Sequence, residues 1–231
     1  MSDWLERLRS LVRTQDRTPD SDQSRRVEAA LLDRALFSSD ATRLAAVARA
    51  IGDEPVDART LEHLVAGLKS PVFGELDLTD DEADAHLEFW KALVTKHPGD
   101  PVLAAHLAEV EMVVGDAGVG LRRFVDAFDR KPELFVEFGW DLEDDALALG
   151  GEPLFRWQVH QLRWFLKAAA EHLEGGEEAR ELYGELLDEY RDDTAKLAQL
   201  HQLGEEIHRL ELAGDLPRAM VVRRKRRPRE G

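Results

Sequence analysis

Apolar residues return at intervals of three and four along most of this chain, the spacing that lines one face of an α-helix. The clearest case lies between Pro101 and Pro132. Leu103, Leu107, Val110 and Val114 share one face of a first segment, and Leu121, Phe124, Val125 and Phe128 share one face of a second. The end signals agree with the periodicity. Asp100 is placed to cap the first helix with Pro101 in its first turn, Gly115 to end it in a left-handed conformation, and Asp116 to cap the second before Pro132 stops it. The pattern predicts a helical hairpin around which the rest of the chain is organised.

The same periodicity runs on both sides of that hairpin. Before it come Val27 and Leu31, then Leu44, Val47, Ala48 and Ile51, then Leu61, Leu64, Val65 and Leu68. Ser70 to Leu78 predicts a loop, and Thr79-Asp80-Asp81-Glu82 is a capping-box signature for a helix whose face carries Ala83, Leu87, Trp90 and Val94 up to His97-Pro98. After the hairpin, Phe135, Phe138, Leu142, Ala146 and Leu149 predict one helix over 133–149, broken by Gly150-Gly151. The longest helix is expected from Pro153 to about Glu174, with Trp157 and Trp164 forming a second apolar line beside its main stripe. Gly175-Gly176 turns the chain into Leu182, Tyr183, Leu186, Leu187 and Tyr190, and a last helix carries Leu197, Leu200, Leu203, Ile207 and Leu210 up to Gly214. No strand-like alternation of useful length occurs, so the expectation is an all-α body of about eleven helices.

The hairpin resembles the tetratricopeptide repeat, whose pattern runs W-x2-L-G-x2-Y, A-x3-F and P on a 34-residue period. Leu107 takes the leucine, Ala108 the small residue after it, Gly120 the small residue of the second helix, Phe124 the aromatic and Pro132 the closing proline. Pro98 to Pro132 matches the period, while Ala104 stands where the tryptophan is expected and Glu111 where the tyrosine is. Fainter echoes occur at Leu44, Ala45, Ala48, Gly52-Asp53, Ala58 and Pro71, and at Gly214-Asp215 with Ala219. The resemblance implies stacked antiparallel helical hairpins forming a tetratricopeptide-like α-solenoid. First helices line the concave face in that family, which makes His106, Glu109, Met112 and Val113 the implied partner-binding residues.

Charge divides the chain more sharply than hydropathy does. The 231 residues carry a net −16, yet Arg223 to Gly231 holds six basic residues and one acid, leaving 25 basic against 46 acidic residues before it. An acidic body repels nucleic acid and anionic lipid, so any such contact is expected through Arg223, Arg224, Lys225, Arg226, Arg227 and Arg229. At the other end, residues 3–13 form an amphipathic helix pattern, with Trp4, Leu5, Leu8, Leu11 and Val12 opposite Arg7, Arg9 and Arg13. It reads as a helix covering one end of the core or as an interfacial helix making peripheral membrane contact. Thr14 to Ser24 has no apolar residue and reads as a linker. The expected organisation is therefore residues 1–24 as helix plus linker, 25–222 as the helical domain, and 223–231 as a basic tail.

Candidate chemistry is sparse. Cysteine is absent, which excludes disulfides, thiolate catalysis and cysteine-ligated zinc. With no apolar run long enough to span a membrane and no secretory leader pattern, the expectation is a cytoplasmic protein. The glycines of Val110 to Gly120 lack the lysine and hydroxyl of a phosphate loop, since Leu121 and Arg122 follow them. His201, Glu205 and His208 share a helical face but lack a second Glu-x-x-His, and Asp141, Glu143, Asp144 and Asp145 read as a solvated run. Among the aromatics from Phe124 to Phe165, Trp140 and Trp157 are the candidates for facing a ligand. No cofactor and no metal are expected. The leading reading is a non-enzymatic adaptor that binds a basic or helical peptide or partner protein through a helical groove; the alternative is a nucleic-acid- or ribosome-associated regulator acting through the tail.

Overall fold

The computed structural model describes residues 20–36, 39–68, 79–171 and 175–213. Among them every regular element is helical. In chain order these are α1 (Asp22–Leu32), α2 (Asp40–Ile51), α3 (Ala58–Gly67), α4 (Asp80–Lys96), α5 (Pro101–Val114), α6 (Ala117–Arg130), α7 (Leu134–Phe138), α8 (Glu143–Leu149), α9 (Gly151–Ala170), α10 (Gly176–Glu189) and α11 (Thr194–Ala213), with short 3-10 turns at Arg34–Leu36 and Gly139–Leu142. Two compact units result, Met1–His160 and Gln161–Gly231, the division falling within α9. The predicted helix over 3–13, the loop over 70–78 and the tail lie outside the described residues.

Local chemistry starts most helices of the first unit. Ser21, Ser39, Asp57 and Asp116 each accept a hydrogen bond from a backbone N–H of the first turn of α1, α2, α3 and α6. Thr79 and Glu82 close the capping box of α4, and Asp100 accepts from the N–H groups of both Val102 and Leu103 ahead of α5. The linker expected over Thr14 to Ser24 ends earlier than its polarity suggests. Asp22 to Ser24 form the first turn of α1, and Gln23 is buried because its amide bridges two backbone groups, donating to Ile51 O at 3.2 Å and accepting from Asp57 N at 3.1 Å.

Helix α5 is the centre of this unit. Leu103 and the unbroken run from Ala105 to Glu111 are buried, so the helix is covered on every side. It packs on α4 and, most extensively, on α6. That second contact depends on two small residues. Ala108 is fully buried, and a Cβ built on Gly120 would lie 2.7 Å from Ala108 O and 2.9 Å from Met112 N, so the two backbones approach as closely as a glycine permits. Beyond α4 the packing passes to α2 and then to α1, which also carries α3. Helices α2 and α3 each lean on α1.

Several sequence expectations change in detail. Gly115 sits at φ −124° and ψ −134° rather than in the left-handed region. Only Gly115 and Asp116 join the helices, so the chain must run extended straight into the Asp116 cap. The fully buried residues of α4 are His86, Phe89, Trp90 and Leu93; Leu87 and Val94 of the expected stripe pack against the core partly buried, and His86 joins the buried face because it finds an acceptor in Asp40 Oδ2 at 2.9 Å. The single helix expected over 133–149 is three pieces. Glycine at 139 leaves room for the Phe135 ring, and Gly139 O accepts from Trp157 Nε1 at 2.7 Å, which also makes Trp157 a satisfied core residue rather than one facing a ligand.

A polar cluster ties α6 to α9 within the same unit. Asp129 accepts from Arg156 and from His160 Nε2, the latter at 2.8 Å, and His160 is itself buried. Burial opposes ionisation of Asp129, but these hydrogen bonds outweigh it and hold the carboxyl below the usual range.

In the second unit α10 packs on α11, with Ala179 and Leu186 facing Leu200, Leu203 and Ile207 as the buried positions. Arg180 Nε donates to Glu211 Oε1 at 3.0 Å, and Gly204 makes room for the Tyr183 hydroxyl. His201, Glu205 and His208 all face solvent.

Two glycine substitutions separate packing from propensity. Gly120→Ala is expected to destabilise the protein by about 1–3 kcal/mol, since the added methyl meets backbone atoms that cannot yield locally. Gly184→Ala, exposed in α10 with nothing near its Cβ position, is expected to stabilise by about 0.5–1 kcal/mol. Urea unfolding of both variants checks the opposite signs.

Candidate partner-binding cleft

Helix α3 has two apolar faces. Thr60 and Leu64 turn inward, whereas Ala58, Leu61, Val65 and Ala66, at helical spacing on another face, line a cleft of about 1070 Å³ with Glu62 among them. The sequence pattern merged Leu61, Leu64, Val65 and Leu68 into one stripe; the structure divides it. Pro55 and Val56 extend this wall. Opposite stand the α4–α5 turn, His97 to Val102, and the start of the α7 region, Lys131, Glu133, Leu134 and Glu137. His106 adds to the lining from one turn into α5.

Each element is held by the fold rather than by the cleft itself. The α4–α5 turn is pinned by Asp100, whose N–H donates to His97 O at 3.0 Å while its carboxylate caps α5. Residues 131–134 turn on a Leu134 N to Lys131 O bond of 3.1 Å, which sets Glu133, Leu134 and Glu137 at the entrance to α7. The cleft walls are therefore rigid termini of packed helices. Their chemistry is apolar with an acidic bias: Glu133 and Glu137 against Lys131, Glu62 being ion-paired with Arg59 and Asp100 committed to its cap.

Beneath the lining sits a buried polar pair. His106 is 4% exposed and Glu109 2%, with His106 Nδ1 3.3 Å from Glu109 Oε2. The imidazole lies between Trp90, tilted 30° at 5.3 Å, and the edge-on ring of Phe138 at 5.2 Å. Burial drives the Glu109 carboxyl above the ordinary glutamate range; the hydrogen bond and charge of His106 oppose this, and the nearby Glu137 charge adds to it. The other Glu109 oxygen, Oε1, is buried without a hydrogen-bond partner, as is Nε2 of His97 in the cleft wall. Glu111, the second acid buried on α5, is satisfied by a two-pronged ion pair with Arg123 at 2.7 and 3.0 Å.

Of the four partner-binding residues implied by the repeat resemblance, His106 lines the cleft and Glu109 lies behind it. Met112 is half-buried against Gly120, and Val113 is 49% exposed; neither belongs to the cleft lining. The six tail residues, Arg223 to Arg227 and Arg229, fall outside the described residues. The cleft residues missed by sequence reading are Leu61, Val65, Leu134 and Glu137. The available signal was α3 itself, whose apolar positions exceed what one helix face can hold.

A second, smaller groove of about 290 Å³ lies between α2 and α4, lined by Ala41, Ala45, Ala48, Ala85, Ala92 and their larger neighbours. Lys96 is its single charged residue, so it lacks the polar groups that orient a ligand. Among the described residues no group of three or more His, Asp or Glu is placed to hold a metal ion, and no helix is long and apolar enough to cross a membrane. Comparison of the chain with protein families, with curated proteins and with solved structures gives no match.

The Glu109 environment has a definite pH signature. A carboxyl whose folded pKa lies above its unfolded value of 4.5 favours the native state fully below that value and loses this contribution as pH rises through the folded pKa. Glu109→Gln is therefore expected to be more stable than the parent by about 1 kcal/mol at neutral and alkaline pH, the gap closing as the medium is acidified below the unfolded pKa. Urea unfolding at a series of pH values measures it.

Proposed function

We propose that this protein is a non-enzymatic adaptor, a tetratricopeptide-like array of helical hairpins that receives a basic amphipathic segment of a partner protein in the cleft bounded by α3, the α4–α5 turn and α7. The cleft carries this reading. At about 1070 Å³ it exceeds the size usual for small-molecule sites and suits a length of polypeptide. Its apolar wall, Val56, Leu61 and Val65 over the buried Leu134, matches the buried face of a helix, and Glu133 and Glu137 match cations flanking that face. The acidic body steers such a partner toward the site and adds to the association rate.

The alternative, a nucleic-acid- or ribosome-associated regulator, rests on the six cations of the tail. One experiment separates the two. Intact protein, a chain lacking residues 223–231 and the double variant Glu133→Lys/Glu137→Lys are used as bait in lysate, each with and without nuclease. The adaptor reading expects a discrete protein whose recovery survives nuclease and tail deletion and falls at least about tenfold, or roughly 1.4 kcal/mol, with the charge reversal. Recovery that ignores the reversal and vanishes with nuclease or with the tail overturns it.

A further inference from the structure

Resting on the reading of the cleft as a receptor for a basic amphipathic helix, we infer that its resident occupant is the chain's own N-terminal segment, residues 3–13, so that a partner must displace it. Position along the chain is the first argument. The described residues begin at Asp20, whose carboxylate accepts from Arg59 Nε at 2.8 Å, while the Ser21 hydroxyl donates to Asp57. Both contacts fasten the chain at the N-terminal end of α3, beside Ala58 and Leu61 of the cleft wall. Residues 14–19 reach at most about 20 Å when extended, and a helix over 3–13 is about 16 Å long, so the segment is confined to this neighbourhood.

Chemical complementarity is the second. Trp4, Leu5, Leu8, Leu11 and Val12 supply one apolar helical face for the wall formed by Val56, Leu61 and Val65 over the buried Leu134. Arg7, Arg9 and Arg13 supply cations for Glu133 and Glu137, and Glu6 an anion for Lys131. The C-terminal basic run is the other candidate within the chain, but Arg223 to Gly231 has only Pro228 as an apolar side chain and so no helical face to cover the wall. An occupant in cis lowers the apparent affinity of any competing peptide in proportion to its occupancy.

The test uses the full chain, which contains no cysteine of its own. A nitroxide on Ser10→Cys is expected to broaden the methyl resonances of Leu61, Val65 and Leu134 selectively, sparing Leu44 and Leu93. The effect should vanish in Leu5→Asp/Leu8→Asp and should persist when labelled chain is diluted with unlabelled chain. A synthetic peptide of residues 1–16 is then titrated onto both proteins. It should bind the Leu5→Asp/Leu8→Asp chain at the same methyls about tenfold more tightly than the parent, as a segment docked nine-tenths of the time requires. Broadening at Leu44 and Leu93 instead, broadening transferred only between molecules, or equal peptide affinity for the two proteins overturns the inference. None of those results touches the partner recovery that tests the cleft itself, so the two readings fail separately.

Discussion

A helix covered on every side sets the terms for the N-terminal unit. Burial of every residue from Ala105 to Glu111 leaves this stretch of α5 with no solvent face on which to place polar residues, yet it carries His106, Glu109 and Glu111. Each must be answered from within. Glu111 is answered by Arg123 across the hairpin, and Glu109 in part by His106 one turn earlier. The close approach of α6 at Gly120 makes this possible, because it brings Arg123 of the following helix over Glu111 and seals Ala108 from water. A side chain at 120 would loosen the packing and the ion pair together.

The same device recurs through the unit. His86 on α4 meets Asp40 at the start of α2, His106 meets Glu109, and His160 on α9 meets Asp129 on α6. All three histidines are buried, and each carboxylate partner gives the ring a fixed direction that apolar contact alone does not. Two of the pairs join helices distant in sequence and so define register between layers. The third, on α5, sits at the cleft floor. There the carboxylate retains one unpartnered oxygen, a cost that the surrounding aromatic packing of Trp90 and Phe138 has to offset.

The cleft follows from how the helix ends are arranged. There one face of α3 meets the α4–α5 turn and the α6–α7 connection, with His106 reaching up from below. Short connections and capped ends make rigid walls, and rigid walls with apolar centres and acidic margins suit recognition of an amphipathic segment at low reorganisation cost. The proposed competition between the chain's own N-terminal segment and a partner uses the same walls, and converts a passive receptor into one that responds to the concentration of its partner.

Interactions within a few residues were legible from the sequence alone. The caps at Asp100, Asp116 and Thr79, the hairpin of α5 and α6, and the all-helical class follow from hydrogen bonds and side-chain spacings that span one or two turns. Tertiary structure alone decided which face of α4 is buried, because His86 becomes a core residue only once Asp40 lies 2.9 Å away. It also decided that the segment 133–149 breaks around Gly139 and that α3 turns Leu61 and Val65 toward a cleft while Leu64 enters the core. Periodicity counts apolar positions on a helix but does not say which neighbour each will meet. That depends on contacts between residues tens of positions apart, which only the folded chain brings together.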